Sequence, residues 1–363
     1  MELYILNKNL ELQGIIDSFQ TLIWTRKAQE VGNFQLNLSP SEDNLNLLKK
    51  DYLVYRKDSK EVGIINHIEY KLDTSKETLE IKGNFASNYI SKRINASIVN
   101  FNGTIESFIR QIINNNCINP TDKQRIIPNL ILGDSKGYTD TITIQDSYSN
   151  LIKLINNSIT DTDICYRTTL DIENKKLAFE LYKGIDRTVE NAYNNPPTVF
   201  CRDMENIVKE TYILDNSDSS NMAYVFGEGE DNNRTKVLVN NNLSGLSRSE
   251  LYVDARDLQK TSNDVTLTDS QYNNALKQRG IEKLKEATDT ETFEATINTK
   301  GNNVYKTDYD LGDKVTILDK KLGVTLNTMI TQIEETYESG KVTITPTFGN
   351  KIPSLLDKIR RHV

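Results

Sequence analysis

Tyr309-Asp310-Leu311-Gly312-Asp313-Lys314-Val315 begins the stretch whose pattern decides the fold, and that stretch runs on to Gly349. Gly312 allows a backbone angle that other residues avoid, and Asp313 is placed to accept from the turn's own amides, so these residues form a turn that launches a strand. Val315 and Ile317 then alternate with Lys314, Thr316 and Leu318. The chain reverses at Asp319 to Gly323, and a β-branched run leads from Val324 through Ile333 to Tyr337. Glu338-Ser339-Gly340 closes a hairpin whose returning strand sets Val342, Ile344, Pro346 and Phe348 against Lys and Thr. One face of this sheet is expected to be buried and the other wet.

The same rhythm fills the beginning of the chain. Leu3 to Leu6, Leu12 to Ile16, Phe19 to Thr25, Gly32 to Leu38 and Tyr52 to Arg56 are short apolar or alternating runs divided by turn residues, as in a small sandwich or barrel. A short helix over Glu42 to Lys50 follows a capping Ser41. Gly63 to Leu72 pairs with Glu77 to Gly83 through Asp73-Thr74-Ser75-Lys76. In that hairpin Ile64, Asn66, Ile68, Tyr70 and Leu72 share one face, which leaves His67 toward solvent.

Between Asn84 and Pro197 the period changes. Ile105, Phe108, Ile109, Ile112 and Ile113 recur at helical spacing behind Gly103-Thr104, and the Asn114-Asn115-Asn116 run ends that helix. Tyr148, Leu151, Ile152, Ile155 and Ile159 repeat the arrangement, with Ser147 as the cap. The helices need a sheet to bury their stripes, and the strand Ile126 to Leu132 and the hairpin of Asp163 to Leu170 with Lys176 to Tyr182 supply one. Asn194-Asn195-Pro196-Pro197 reads as a linker. Strands return at Ile207 to Leu214, Met222 to Gly227 and Leu246 to Val253. A helix over Thr268 to Ala287 then puts Tyr272, Leu276 and Leu284 on one stripe, and Glu291 to Thr299 resumes the β pattern.

With 363 residues the chain is long enough for two or three cores. A net charge of -7 argues against a general nucleic-acid binder, which needs a basic face to displace counterions, though not against a channel that DNA passes without sticking. Three well-separated cysteines, Cys117, Cys165 and Cys201, suggest neither a disulfide framework nor a zinc knuckle and read as reduced thiols. Neither a signal peptide nor a membrane anchor is expected, because no apolar run is long enough.

Catalytic motifs are poor. Gly133-Asp134-Ser135-Lys136-Gly137 matches the G-x-S-x-G elbow formally, but Tyr138 to Ile142 does not begin a helix, and the chain's two histidines are His67 and the terminal His362. Ser135 is therefore expected in a plain turn. Phe226-Gly227-Glu228-Gly229-Glu230 has no third glycine and no P-loop lysine, and its acids would repel a phosphate. Asp308, Asp310 and Asp313 have the chemistry of a hard-cation site without the spacing of an EF-hand loop, and surface carboxylates in a turn explain them equally well. No catalytic residue, metal ligand or cofactor is expected. Trp24 is expected in a core or interface.

Several of these segments, in this order, resemble a known family. The closing stretch, Leu79-Glu80-Ile81-Lys82-Gly83 followed by Ile90-Ser91-Lys92-Arg93-Ile94, the Phe226-Gly227-Glu228-Gly229 turn, and the run from Arg248 to Leu258 are together similar to the siphovirus ReqiPepy6 Gp37-like phage tail proteins, of the baseplate hub group. Gly83, Gly227, Gly229, Gly312, Asp313 and Gly349 mark the signature turns of that resemblance. It implies an α+β, mainly β fold with two tail-tube-like barrel or sandwich domains and α+β insertions. Residues 1–95 would form the first tube-like domain, 96–198 an α+β accessory domain, and 199–230 with 290–350 the second tube-like domain. Residues 231–289 would be an insertion carrying the helix 268–287, and 351–363 a tail.

The resemblance also implies a function. It is a non-enzymatic homotrimer in the virion, assembled in the host cytoplasm, whose paired domains match a sixfold tail tube to a threefold spike or fibre and line the channel for ejected DNA. Its partners would be the tail tube or distal tail protein above, a spike, fibre or separate lytic protein below, and the tape measure protein. Many relatives continue into a lytic or receptor-binding module, so such a module is expected on another polypeptide. Two alternatives stand beside this: a peptidoglycan-degrading tail enzyme, which zymography would reveal, and a carbohydrate-binding tail accessory protein, which glycan binding through exposed aromatics would reveal.

Overall fold

The structure is a computed structural model, and it describes residues 1–349 except 75, 161, 263, 264, 299, 300 and 339. The expected tail 351–363, with His362, lies outside the described residues. The chain divides into two compact units, one of residues 1–211 and 293–349, the other built on residues 212–292.

The first unit is mainly β. Its central sheet follows the strand path Ile207–Asp215, Thr290–Ile297, Lys341–Gly349, Val324–Glu338, Thr21–Lys27, Asn33–Leu38, Lys76–Phe85, Val62–Asp73, Leu53–Tyr55, Leu3–Leu6 and Leu12–Ile16. The strand Lys314–Asp319 pairs both with Val324–Glu338 and with Val199–Cys201. The two ends of the chain therefore share one sheet, because Thr21–Lys27 pairs antiparallel with Val324–Glu338 from Gln332↔Lys27 to Glu338↔Thr21. The path is open, and its terminal strands Leu12–Ile16 and Ile207–Asp215 are not neighbours. Alternation explains the core: Leu22 and Trp24 on one strand and Phe34, Leu36 and Leu38 on the next are buried at every second position.

The α+β segment lies in the same unit. Helix Ile105–Ile113 is capped by Thr104, whose side chain accepts from the Ser107 amide, and it buries Ile105, Phe108, Ile109, Ile112 and Ile113. The asparagine run does not end it. Asn114–Ile118 continues as a π-helical turn, held by Asn116, whose Nδ2 donates to the Ile112 carbonyl and whose Oδ1 accepts from the Ala96 amide. The second helix begins later than its apolar period suggests, at Leu151. Asn150 rather than Ser147 caps it, accepting from the amides of Ile152 and Lys153, while Tyr148 stays outside with positive φ and exposed. Ser147 instead closes the strand Thr141–Ser147, which pairs with Ile98–Thr104; neither strand was evident in the sequence. The expected strand over Ile126 to Leu132 shrinks to Leu130–Leu132, since a 3-10 turn occupies Lys123–Arg125 and Asn129 takes φ 63°. Asn194 to Pro197 lies in a hydrogen-bonded turn, with the Asn195 amide on Asn191 and its side chain on the Asp186 carbonyl.

In the second unit the helix Asp269–Glu286 starts with a capping box between Thr268 and Gln271 and buries Tyr272, Leu276, Gly280 and Leu284. It covers one face of the three-stranded sheet Lys236–Val239, Met222–Phe226 and Glu250–Asp254. Leu246 and Ser247, expected at the start of that last strand, lie in the 3-10 turn Gly245–Ser247. Among the described residues no helix is long and apolar enough to cross a membrane.

Candidate functional site

Where the sheet joins the two ends of the chain, its inner face carries charge. Thr21–Lys27 points Leu22, Trp24 and Arg26 inward, and Val324–Glu338 does the same with Ile333, Glu335 and Tyr337. Arg26 is 5% exposed; its Nε donates to Glu61 at 2.8 Å, and its Nη1 to Asp310 at 2.7 Å and to the Tyr305 hydroxyl at 2.9 Å. That hydroxyl donates onward to Glu335 at 2.9 Å. Arg56 is wholly buried, its Nη2 on Glu335, Asp58 and the Tyr337 hydroxyl, and its guanidinium lies 5.2 Å from the Trp24 ring centre and 4.8 Å from that of Tyr337. Trp24 is thus a core residue whose Nε1 donates to Ser59.

The electrostatics follow from the pairing. Burial pushes the Glu335 carboxyl up, but Arg56, the Tyr337 hydroxyl and Lys306 together outweigh it and hold the group below its ordinary value. Burial pushes the Tyr305 phenol well up, so it stays neutral between two charges and relays a hydrogen bond. Two arginines and two buried glutamates bonded in this way are a clamp between distant segments and lack the separated, accessible acid and base of a hydrolase. The network was missed in the sequence, though a signal was present: Arg26 and Glu335 fall in phase with inward Trp24 and Ile333, and an in-phase charge requires a buried partner.

The expected turn residues fall around this clamp and elsewhere. Gly312 takes φ 91°, and Asp313 does more than serve its own turn. Its Oδ2 accepts from the Asp310 amide and from Arg187 Nε, and its Oδ1 accepts from the Ile185 amide. Gly83 is in mid-strand, and a Cβ there would lie 1.9 Å from the Ile64 carbonyl oxygen, so close approach and not a turn demands glycine. Gly227 follows a strand with the Tyr272 hydroxyl 2.3 Å from a would-be Cβ, while Gly229 and Gly349 have positive φ.

The carboxylates of Asp308, Asp310 and Asp313 do not gather at one point. Asp308 caps the Val304 amide, Asp310 serves Arg26 and the Leu311 amide, and Asp313 is used as above. Ser135 sits in a loop gathered around buried Glu106, to which the Ser135 hydroxyl and the amides of Lys136 and Tyr138 all donate within 2.8 Å. A serine that donates to a carboxylate in this way is a loop fastener, and sequence reasoning missed Glu106. His67 is exposed, as expected. Burial raises the thiols of Cys117 to about 11 and Cys165 to about 12, and all three cysteines are free and buried.

A second feature concerns the surface. The strand Leu53–Tyr55 pairs with Val62–Asp73 only over Val62 to Ile64, and a bulge follows between Ile65 and His67. Beyond it, the outer edge of this strand has no partner strand among the described residues. There Ile68, Tyr70 and Leu72 share a face and are exposed by 39%, 48% and 70%.

The sequence matches the family model described as Siphovirus ReqiPepy6 Gp37-like protein over residues 2–350. No curated protein matches it. Among solved structures it is similar to a tail protein from Neisseria meningitidis MC58, at 12% identity and TM-score 0.55 over 96% of both chains. It is also similar to the prophage tail protein gp18 from Listeria monocytogenes EGD-e, at 12% identity and TM-score 0.52 over 100% of this chain and 98% of that one. A third is the prophage MuSo2 43 kDa tail protein from Shewanella oneidensis, at 10% identity and TM-score 0.54 over 96% and 97%. At such identities the likeness establishes a shared fold.

Proposed function

This chain belongs to the Siphovirus ReqiPepy6 Gp37-like family, and from that premise we propose that it is a structural baseplate hub protein of a phage tail or phage-derived particle. Three copies form a ring that joins a sixfold tail tube, or the distal tail protein, to a threefold spike, fibre or lytic protein, with the tape measure protein and then DNA passing through. The role is architectural and not enzymatic. The observation that supports it is the projecting hairpin Val62–Asp73 and Lys76–Phe85, which offers an unpaired edge and an apolar face at the same place. An edge of that kind invites aggregation unless another chain covers it, and a closed ring of identical copies covers every edge at once.

In the ring the wall facing DNA is polar and acidic, in keeping with the chain's net charge of -7, so that DNA is repelled and slides. Mass photometry and electron cryomicroscopy of the purified protein, alone and with a tail-tube protein, test the proposal. Threefold particles with these hairpins at the contacts are expected. A monomer in both conditions, or a ring of any other symmetry, overturns it.

A further inference from the structure

The three-stranded sheet of the second unit has one face under its helix and, among the described residues, no element over the other. The covered face sets Val225, Val239 and Val253 against Tyr272, Leu276 and Leu284. Gly280 makes the approach possible, since a Cβ there would lie 2.6 Å from Val225 and 2.7 Å from Val239. The opposite face carries, at the alternate register, Tyr224 and Phe226, Lys236, and Tyr252 with Asp254.

This outer face is built. The rings of Phe226 and Tyr252 are 5.5 Å apart, and Arg234 lies 5.4 Å from the Phe226 ring centre. Each nitrogen of Arg234 donates: Nε to the Gly227 carbonyl, Nη1 to the Tyr252 hydroxyl, and Nη2 to the Phe226 carbonyl and Asp254. Asp254 also holds Arg256, and the two arginines depress its carboxyl to about 2. Beside this platform is an open hollow of about 440 Å³, bordered also by Glu230 and Asp231. Lys236 lies over Tyr224, but among the described residues no cation lies over Tyr252, which is 60% exposed.

The charge of the hollow selects its occupant. Arg234 and Arg256 are already held by Asp254, and Glu230 and Asp231 add two further negative charges, so nothing here rewards a polyanion, whose binding to protein depends on a net positive surface. An apolar helix would desolvate the carboxylates of Glu230 and Asp231 without offering them a donor. A neutral polyhydroxylated ring satisfies both constraints: its C–H face lies on an aromatic ring, and its hydroxyls both donate to carboxylates and accept from guanidinium groups. We propose that this face of the second unit binds a neutral carbohydrate, with Tyr252 as the stacking platform and Arg256, Glu230 and Asp231 as the hydroxyl contacts. The inference concerns this unit alone and does not depend on the ring.

Affinity electrophoresis of the full chain through gels containing dextran, starch, galactomannan or soluble glycol chitin, with calorimetric titration of chitohexaose and maltohexaose, tests it. At least one of these glycans is expected to retard the protein. Tyr252→Ala is expected to weaken that binding by about tenfold, the order of one lost stacking contact, with the circular dichroism spectrum of the natural chain retained. Arg256→Ala, also at an exposed side chain, supplies a second variant with the same expectation. Absence of binding to every glycan of the panel at millimolar concentration overturns the proposal. So does unchanged binding by Tyr252→Ala, or tighter binding of an oligothymidine than of any glycan.

Discussion

Arg56 Nη2 lies 2.8 Å from Glu335 Oε2, a pair of buried charges 279 residues apart in the chain. No local propensity brings them together: the pairing of Thr21–Lys27 with Val324–Glu338 sets Glu335 opposite Trp24, and Arg56, just past the strand Leu53–Tyr55, reaches it over the Trp24 ring. Removing Glu335 takes the buried counter-charge from a wholly buried guanidinium and leaves it to Asp58, which is half exposed. Glu335→Ala is therefore expected to cost about 3–5 kcal/mol in chemical denaturation, whereas Arg56→Met with Glu335→Leu, which removes both charges, costs clearly less than the sum of the single changes. Additive losses would show that the two side chains act separately.

The same pair sets a pH dependence. Glu335 titrates below its ordinary value of 4.5 in the folded protein, so its proton is bound more tightly when unfolded. Its contribution to stability is present above that ordinary value and is lost as pH falls through the depressed folded one. Melting temperatures of the natural protein and Glu335→Gln, measured from pH 7 to 3, are expected to differ most at neutral pH and to converge in acid. A gap that widens in acid would contradict the sign.

Two glycines separate steric from conformational demand. A Cβ at Gly83 meets the Ile64 carbonyl oxygen at 1.9 Å, and backbone must move to admit it; at Gly340, with φ 75°, it meets nothing within 4 Å. Gly340→Ala is expected to cost about 1–2 kcal/mol from the left-handed backbone alone. Gly83→Ala is expected to cost more, because it also breaks the sheet at Ile65↔Gly83, beside the bulge. Thermal melts of the two variants in parallel decide the order.

Glu106 gathers three donors from the loop of Ser135. Ser135→Ala removes one of them and is expected to cost about 1 kcal/mol, while Glu106→Ala, which leaves two amides without an acceptor, costs about 2–4 kcal/mol. Fluorophosphonate is expected to leave the protein unlabelled. Stoichiometric modification of Ser135 would restore the nucleophile that its sequence context imitates.

What could be read from the sequence was whatever depends on a local period or a local bond. The stripe of Tyr272, Leu276 and Leu284 behind Thr268, the turn at Gly312 and the closing hairpin all stand as their spacing indicated. The helix start at Leu151 was misplaced because Tyr148 continues the apolar period, and the period carries no information about where the backbone turns; the Asn150 cap does. The clamp of Arg26, Arg56 and Glu335 was hidden for another reason. Charges at inward positions announce a partner without saying which distant strand brings it, and the register that does so is set by sheet pairing between opposite ends of the chain.

The projecting hairpin yields the prediction that bears most directly on assembly. Tyr70 and Leu72 are exposed by 48% and 70%, so replacing both with Asp removes little buried surface from an isolated chain and is expected to change its stability by about 0.5 kcal/mol or less. In a ring those side chains and the adjoining strand edge are covered, and two desolvated carboxylates at each contact oppose closure. Tyr70→Asp with Leu72→Asp is therefore expected to give a folded monomer by mass photometry where the natural chain gives threefold particles. The corresponding change at Leu12 and Ile15, exposed on the terminal strand Leu12–Ile16, serves as the comparison. If assembly survives at the hairpin and fails at that strand, the contact lies at the Leu12–Ile16 end of the sheet path.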